Sequence, residues 1–327
     1  MSEALLAHAT ETIAVGSKSF AAAARLFAPP VRRSVLMLYA WCRHCDDVID
    51  NQELGAAVAG AGAGAQSHDA PAALAMLEQQ TRRVYAGEAM REPAFAAFGE
   101  VVRAHHIAER FAFDHLAGFA MDVHQARYET IDDTLRYCYH VAGVVGLMMA
   151  QIMGAQEEAV LDRACDLGLA FQLTNIARDI VEDARVGRCY LPAAWLREAG
   201  IPAGELALPQ HRAALSQVAA RLVAQAEPYY ASASAGIAAL PLRSAWAIAT
   251  AHGVYRQIGI DVRARGASAW DARVRTSRLT KLRLLVQGGV RALASRFTKP
   301  RVRPAGLWQR PGRAGAADPG AAGAAVV

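Results

Sequence analysis

Two acidic clusters carry most of the chemistry this sequence can offer: Asp46-Asp47-Val48-Ile49-Asp50 and Asp179-Ile180-Val181-Glu182-Asp183. On a helix, residues four apart share a face, so Asp46 pairs with Asp50 and Asp179 with Asp183. Carboxylates crowded on one face repel one another unless a cation neutralises them, and an all-oxygen donor set favours magnesium or manganese over zinc. Each pair also sits on a longer polar stripe within apolar sequence. One stripe is Tyr39, Arg43, Asp46 and Asp50; the other is Gln172, Asn175, Asp179 and Asp183, flanked by Leu169, Ile176 and Ile180. A single pair of this kind is usually a solvated helix face. Two such stripes point instead to a metal-bound diphosphate held between two helices.

The elements that must position these groups are helices. Hydrophobic residues make up 54% of the 327 but aromatics only 7%, much of the rest being alanine, and two-residue alternation is scarce. The expected class is all-α. The first helix signal is Ser17-Lys18-Ser19-Phe20 ahead of Ala21 to Leu26, and Pro29-Pro30 opens a long helix from about 31 to 49. Further helices are expected at 72–85, 93–104, 107–127, 132–153, 157–182, 211–235, 240–265 and 280–296. Within 132–153, a stripe of Tyr137, Val141, Val144 and Met148 beside Ala142, Gly143 and Gly146 would suit either a slot for a long apolar chain or close helix packing. No repeat of fixed period is present. Residues 1–298 read as one domain, with a flexible Gly/Ala loop at about 55–73 and a basic, structureless tail at 299–327.

The net charge of +5 is unevenly spread: Arg263 to Arg313 holds fourteen Lys/Arg against one acidic residue, Asp271. Such a segment suits nucleic acid, anionic lipid or a diphosphate. Five cysteines and the lack of a signal sequence suggest a reduced, cytoplasmic chain. The most apolar run, Val141 to Ala150, is too short to span a bilayer and reads as a core helix. Cys42-Arg43-His44-Cys45 lacks a second half for zinc, the histidines lack ligand spacing, and no nucleotide-binding glycine loop occurs.

At this point the sequence resembles the squalene/phytoene synthase family, in YAWCRHCDDVID (Tyr39 to Asp50), YCYHVAGVVG (Tyr137 to Gly146), LGLAFQLTNIARDIVED (Leu167 to Asp183) and GRCYLP (Gly187 to Pro192). The resemblance runs from about Ser17 to Lys281. It implies an isoprenoid synthase fold, with helices around a central cavity and two facing Asp-rich motifs. Asp46, Asp50, Asp179 and Asp183 would ligate Mg2+ or Mn2+, with Asn175 and Gln172 alongside and Asp47 and Glu182 near them. Arg43 and Arg178 would hold diphosphate, Tyr137 would serve catalysis, and Ser17, Ser19, Phe20, Tyr39, Val141, Tyr255, Arg273 and Lys281 would contact substrate.

The implied reaction is head-to-head coupling of two geranylgeranyl diphosphates through a cyclopropylcarbinyl diphosphate to phytoene, with no nicotinamide and no nucleic-acid partner. The tail sequence Arg303 to Pro311 resembles phytoene-forming bacterial members and favours the C20 substrate over C15-coupling relatives. Chain-elongating prenyltransferases stand further off, because Phe171-Gln172-Leu173-Thr174 lacks the paired aspartates expected after Phe-Gln. A non-catalytic helical assembly on the same fold is the alternative from another class. Peripheral contact with the cytoplasmic membrane face, and with downstream carotenoid enzymes, completes the expected partners.

Overall fold

The computed structural model describes residues 3–16, 18–53, 56–57, 69–298 and 301–312. Thirteen α-helices run through these residues: α1 Glu3–Gly16, α2 Lys18–Ala24, α3 Pro29–Asp50, α4 Ala70–Tyr85, α5 Pro93–His105, α6 Glu109–Val123, α7 Ile131–Cys138, α8 Val144–Ile152, α9 Glu158–Arg185, α10 Ala193–Glu198, α11 Arg212–Gly236, α12 Leu242–Arg265 and α13 Arg278–Ala294. Among the described residues the only extended pairing is a two-residue antiparallel contact, Gln52–Glu53 with Ala56–Ala57. The all-α expectation holds. Most of the Gly/Ala loop, Ser17 and residues 313–327 lie outside the described residues.

Local chemistry sets the helix ends. Pro29 and Pro30 occupy the first turn of α3, where a missing N–H costs nothing, and Asn51 closes that helix in the left-handed region at φ 50°. Asp69 caps α4 by accepting from the Ala72 N–H at 3.0 Å, and Thr130 with Asp133 forms a reciprocal capping box on α7. Ser277 caps α13 through the Thr280 N–H at 3.1 Å.

The long α9 is the axis, packed on α8, α11 and α12. One continuous core surrounds it, in which Trp41 stacks on Phe98 at 4.0 Å. Several elements differ from the sequence expectation, the short α10, which was not foreseen, among them. Helix α1 was not foreseen, yet its Ala9 and Ile13 are fully buried and it packs on α3 and α5. The span expected as one helix at 132–153 is broken by a π-helical turn, Tyr139–Gly143, where the Val144 N–H reaches the Tyr139 carbonyl five residues back. Such a turn inserts one residue and rotates everything after it.

The expected stripe therefore splits. Val144 and Met148 are buried in the core, whereas Val141, Val145 and Met149 line the cavity. The glycines here serve close packing: a Cβ on Gly168 would collide with the Ala142 carbonyl, and one on Gly146 with that of Ala164.

The tail also needs correction. Residues 301–312 are bound to the domain by a ladder of charges along α9. The Arg303 guanidinium donates to both oxygens of fully buried Asp166, at 2.9 and 2.7 Å. Arg310, itself buried, donates to Asp162 at 2.8 Å and to Glu158. Glu158, Asp162 and Asp166 recur every four residues on one face of α9, which is what a run of arginines can grip. The composition of the tail precludes a core of its own, but not this pairing.

Two buried histidines give the fold an acid limit. The His115 Nδ1–H donates to the His140 carbonyl at 3.1 Å, while its Nε2 is buried without a partner. The His252 Nε2–H donates to the Tyr230 carbonyl at 2.9 Å and its Nδ1 faces the Arg291 guanidinium at 3.3 Å. A proton added to either ring would be buried without an acceptor, and desolvation lowers both groups to about 4. Below its unfolded value near 6.5, each ring takes up a proton more readily in the unfolded chain. Stability is therefore lost as pH falls from about 6.5 towards 4, by on the order of 3 kcal/mol per ring. Urea unfolding followed across this range should show the loss, and His115→Leu should lower its slope; an unchanged slope contradicts the assignment.

Candidate active site

A deep cavity runs alongside α9. Its walls are mostly apolar, with Val141, Val145, Met149, Leu167 and Phe171 among them, and its polar groups include Tyr39, Gln172, Asn175 and Tyr255. Both sequence stripes thus reach one cavity, from α3 through Tyr39 and from α9 through Gln172 and Asn175. The Tyr255 ring stacks on Phe171 at 4.2 Å between centroids, which fixes both.

One to three turns beyond this polar group lie the carboxylates, all but Asp183 in contact with an arginine. On α3, Arg43 reaches Asp46 at 3.1 Å and Asp47 at 2.7 Å. On α9, Asp179 accepts from Arg178 Nε at 2.8 Å and from Arg273 at 3.0 Å, and Arg273 also meets Glu182 at 3.6 Å. Arg188, in the loop after α9, grips both oxygens of Asp50, one at 3.2 Å. Its positive charge also acts on Asp46, Asp122 and Asp183, so one cation sits among acids from α3, α6 and α9.

These cations do not satisfy the cluster. Desolvation within the cluster, and then the neighbouring Asp50 and Asp47, push the Asp46 carboxyl up to about 6 despite Arg43, although 42% of its side chain remains exposed. Burial followed by Asp179 raises Asp183 to about 7. Such shifts mark carboxylates short of positive charge.

Among the described residues no three acidic, His or Cys groups gather closely enough to hold a metal by themselves. The donors nevertheless fit a hard divalent ion completed by substrate oxygens. They are oxygens, on two helices, and the buried Asn175 Oδ1 has no hydrogen-bond partner while its Nδ2 donates to Gln172 at 3.3 Å.

Other expected residues fall elsewhere. Tyr137 lies outside the cavity lining: its hydroxyl donates to Asp122 at 3.2 Å and its ring stacks on Tyr190 at 4.4 Å. Tyr190 donates to the other Asp122 oxygen at 3.0 Å. Lys281 lines a neighbouring pocket between α2, α12 and α13, which shares Ala251 and Tyr255 with the main cavity. Ser17 is outside the described residues, and of Ser19 and Phe20 only the helical backbone of α2 is described.

Sequence reasoning missed Asp122, Arg188 and Tyr190. Arg188 and Tyr190 stand within the GRCYLP block. Asp122 is one of two aspartates, with Asp114, on the mostly apolar stretch FAFDHLAGFAMDV, a signal readable in principle.

An all-helical isoprenoid synthase fold, with an apolar cavity beneath carboxylates on two helices, defines the class. The sequence profile described as squalene/phytoene synthase matches residues 13–280, and the chain belongs to that family. A 15-cis-phytoene synthase of Pantoea ananas is 63% identical over 94% of this chain and 98% of its own length. Another, from a Paracoccus species, is 48% identical over 94% and 98% of the two chains. Among solved structures, a dehydrosqualene synthase with bound ligand superposes with a TM-score of 0.78 at 28% identity, covering 89% of this chain and 98% of that one. Isoprenoid synthases of this family typically use a divalent metal.

Proposed function

We propose that this protein is a phytoene synthase of carotenoid biosynthesis, joining two geranylgeranyl diphosphates head to head through prephytoene diphosphate. The observation that carries the reading is an apolar cavity of the right length beneath the carboxylates. Its lining along α9 runs from Asn175 to Val160. Fifteen residues of helix make this about 22 Å. An extended hydrocarbon advances about 1.2 Å per bond, as an extended backbone does, so the main chain of a C20 prenyl group needs about 18 Å and that of a C15 group about 13 Å. The Pantoea relative, at 63% identity, supports the same product.

Two diphosphates and two protons leave in the overall reaction. The first diphosphate and one proton depart as the cyclopropane ring forms; the second diphosphate departs as it opens, and proton loss completes the hydrocarbon. Asp46, Asp50, Asn175, Asp179 and Asp183 would hold Mg2+ or Mn2+, which when bound neutralises a leaving diphosphate. Arg178 and Arg273 flank that position through Asp179 and can turn to phosphate oxygens, a geometry suited to guanidinium. Phe171, Val141 and Met149 exclude water from the carbocation.

The test is product analysis of purified protein with C20 and C15 diphosphates, with Mg2+ or Mn2+ and without nicotinamide. A C40 hydrocarbon from the C20 substrate, lost on chelation, is expected; product from C15 alone overturns the reading.

We further propose that the protein works at a membrane surface. Among the described residues no helix is long and apolar enough to cross a bilayer. Yet Leu279, Leu282, Val286, Val290, Leu293 and Phe297 form one exposed stripe along α13 and the turn after it, Leu279 being 81% and Phe297 90% exposed. Around it lie Arg275, Arg278, Lys281, Arg283, Arg291 and Arg296, with no acidic residue between Asp271 and Asp318. A basic amphipathic face of this kind suits an anionic bilayer, and Leu282 of this face also lines the side pocket next to the cavity.

Flotation with phosphatidylcholine vesicles should show binding only when phosphatidylglycerol is present, and Val286→Glu with Val290→Glu should weaken it about tenfold or more. Absence of binding by the wild type, or a lipid-free dimer dispersed by the same substitutions, overturns the assignment.

A further inference from the structure

We infer that Arg188 is a built-in counter-cation: it occupies Asp50 while no divalent ion is bound, gives that carboxylate up when one binds, and is then received by Asp122. The inference rests on the metal and diphosphate reading above and adds two positioning residues to it, one that fills the metal site and one that accepts the displaced side chain.

The loop after α9 holds this side chain in place. Gly187 turns the chain at φ 78°, in the left-handed region that favours glycine, and the Arg188 N–H then donates to the Asp183 carbonyl at 2.9 Å. Two residues on, the Tyr190 carbonyl accepts from the Thr134 hydroxyl at 2.9 Å. The backbone around Arg188 is thus pinned on both sides, whereas its side chain is 34% exposed, with water along one flank. The guanidinium can move while the loop stays.

Arg188 donates from two nitrogens, one to each Asp50 oxygen. A hard divalent ion needs oxygens of the same carboxylate and would stand beside a like charge. The two cations therefore compete for Asp50. The site nevertheless needs positive charge before any ion arrives. Asp46 and Asp183 also lie in the field of Arg188, and carboxylates gathered from α3 and α9 repel one another when no cation stands among them. Arg188 supplies that cation in the metal-free protein.

Asp122, on α6, completes the device. Each of its oxygens accepts from a tyrosine hydroxyl, Tyr137 at 3.2 Å and Tyr190 at 3.0 Å, and the two rings stack at 4.4 Å, which fixes both donors. The strongest charge acting on Asp122 is that of Arg188, which carries it on the same loop as Tyr190. Of the acids within the field of Arg188, Asp46, Asp50 and Asp183 belong to the expected metal set and Asp122 does not. A guanidinium released from Asp50 therefore has a carboxylate to turn to that the metal leaves alone.

Mn2+ binding to the full chain without substrate, read by electron paramagnetic resonance, tests this without turnover. Arg188→Gln should bind Mn2+ about tenfold or more tightly than the wild type, since a unit charge about 4 Å from a divalent ion is worth more than tenfold in binding even at the dielectric constant of water. A residue that merely shaped the site, or held Asp50 ready for the metal, gives the opposite sign. Arg188→Lys keeps the charge without the two-pronged grip and should fall between the two, which carries the test if the Gln variant does not fold. Affinity at or below that of the wild type in either folded variant overturns the inference.

Asp122→Asn should weaken Mn2+ binding about tenfold in the wild type but less than about threefold alongside Arg188→Gln, where no guanidinium needs receiving. A loss of equal size in both backgrounds reflects only the field of the Asp122 charge and overturns its receiving role. Failure of the wild type to bind Mn2+ even with inorganic diphosphate present would instead refute the metal reading, and the inference falls with it.

Discussion

Replacing Asp183 with Ala is expected to lower kcat/KM for the C20 diphosphate by about 1,000-fold while leaving the metal-free protein as stable as before, or more so. The first part follows from what the carboxylate is for. A group that fixes a cation against a leaving diphosphate acts on charge developing in the transition state, and losing one such group costs up to about 10³ in rate. The second part follows from the pKa. Burial, then Asp179 and Glu182, raise the Asp183 carboxyl from its ordinary 3.8 to about 7, with Arg188 and Arg178 opposing. Between those values the unfolded chain gives up its proton while the folded one keeps it. The stability this group contributes is therefore present below pH 4 and lost as pH rises through about 7, so at neutral pH the fold is relieved by its removal.

Asp50→Ala makes the informative contrast. It too should abolish turnover, but it leaves Arg188, half-buried, without the carboxylate it grips with two nitrogens, so stability should fall as well. Product formation by gas chromatography, Mn2+ binding by electron paramagnetic resonance, and urea midpoints separate the two. Product within threefold of wild type for Asp183→Ala contradicts the assignment.

That contrast shows where sequence reading succeeds and where it stops. Helices α3 and α9 were legible because each writes its stripe locally: an offset of four residues is the same statement in sequence and in space. The position of Arg188 is not local. It follows α9 by only a few residues, but its partner Asp50 lies 138 positions away, and nothing in GRCYLP names that partner.

The π-turn at Tyr139–Gly143 was invisible for a different reason. A single inserted residue leaves composition and apolar content untouched while rotating Val145 and Met149 into the cavity in place of Val144 and Met148. Helix α1 writes only a short pattern, Leu5, Ala9 and Ile13, and a stronger start signal follows it at Ser17. In the tail, Pro, Gly and Arg content correctly denied a core, yet the restraint comes from acids on α9 far back in the chain, which composition cannot show.

The grip of α9 on the tail segment 301–312 has its own large expected effect. Asp166→Ala should destabilise the protein by about 3–5 kcal/mol, the cost of removing one partner from a buried ion pair. Asp166 is fully buried and accepts three hydrogen bonds, two from Arg303 and one from Ser232. With the carboxylate gone, Arg303 keeps only the Trp308 carbonyl within an interior position, its side chain being 13% exposed. Asp166→Asn retains an acceptor oxygen and should cost less than half as much. Removing both charges, with Asp166→Asn and Arg303→Gln together, should recover part of the loss, because no unpaired charge is then left buried. The pattern in urea unfolding free energy should be Ala worst, Asn intermediate, and the double variant better than the sum of its singles. Strict additivity would mean that Arg303 and Asp166 do not act as a pair in solution, and the tail segment would then be resting on the domain rather than fastened to it.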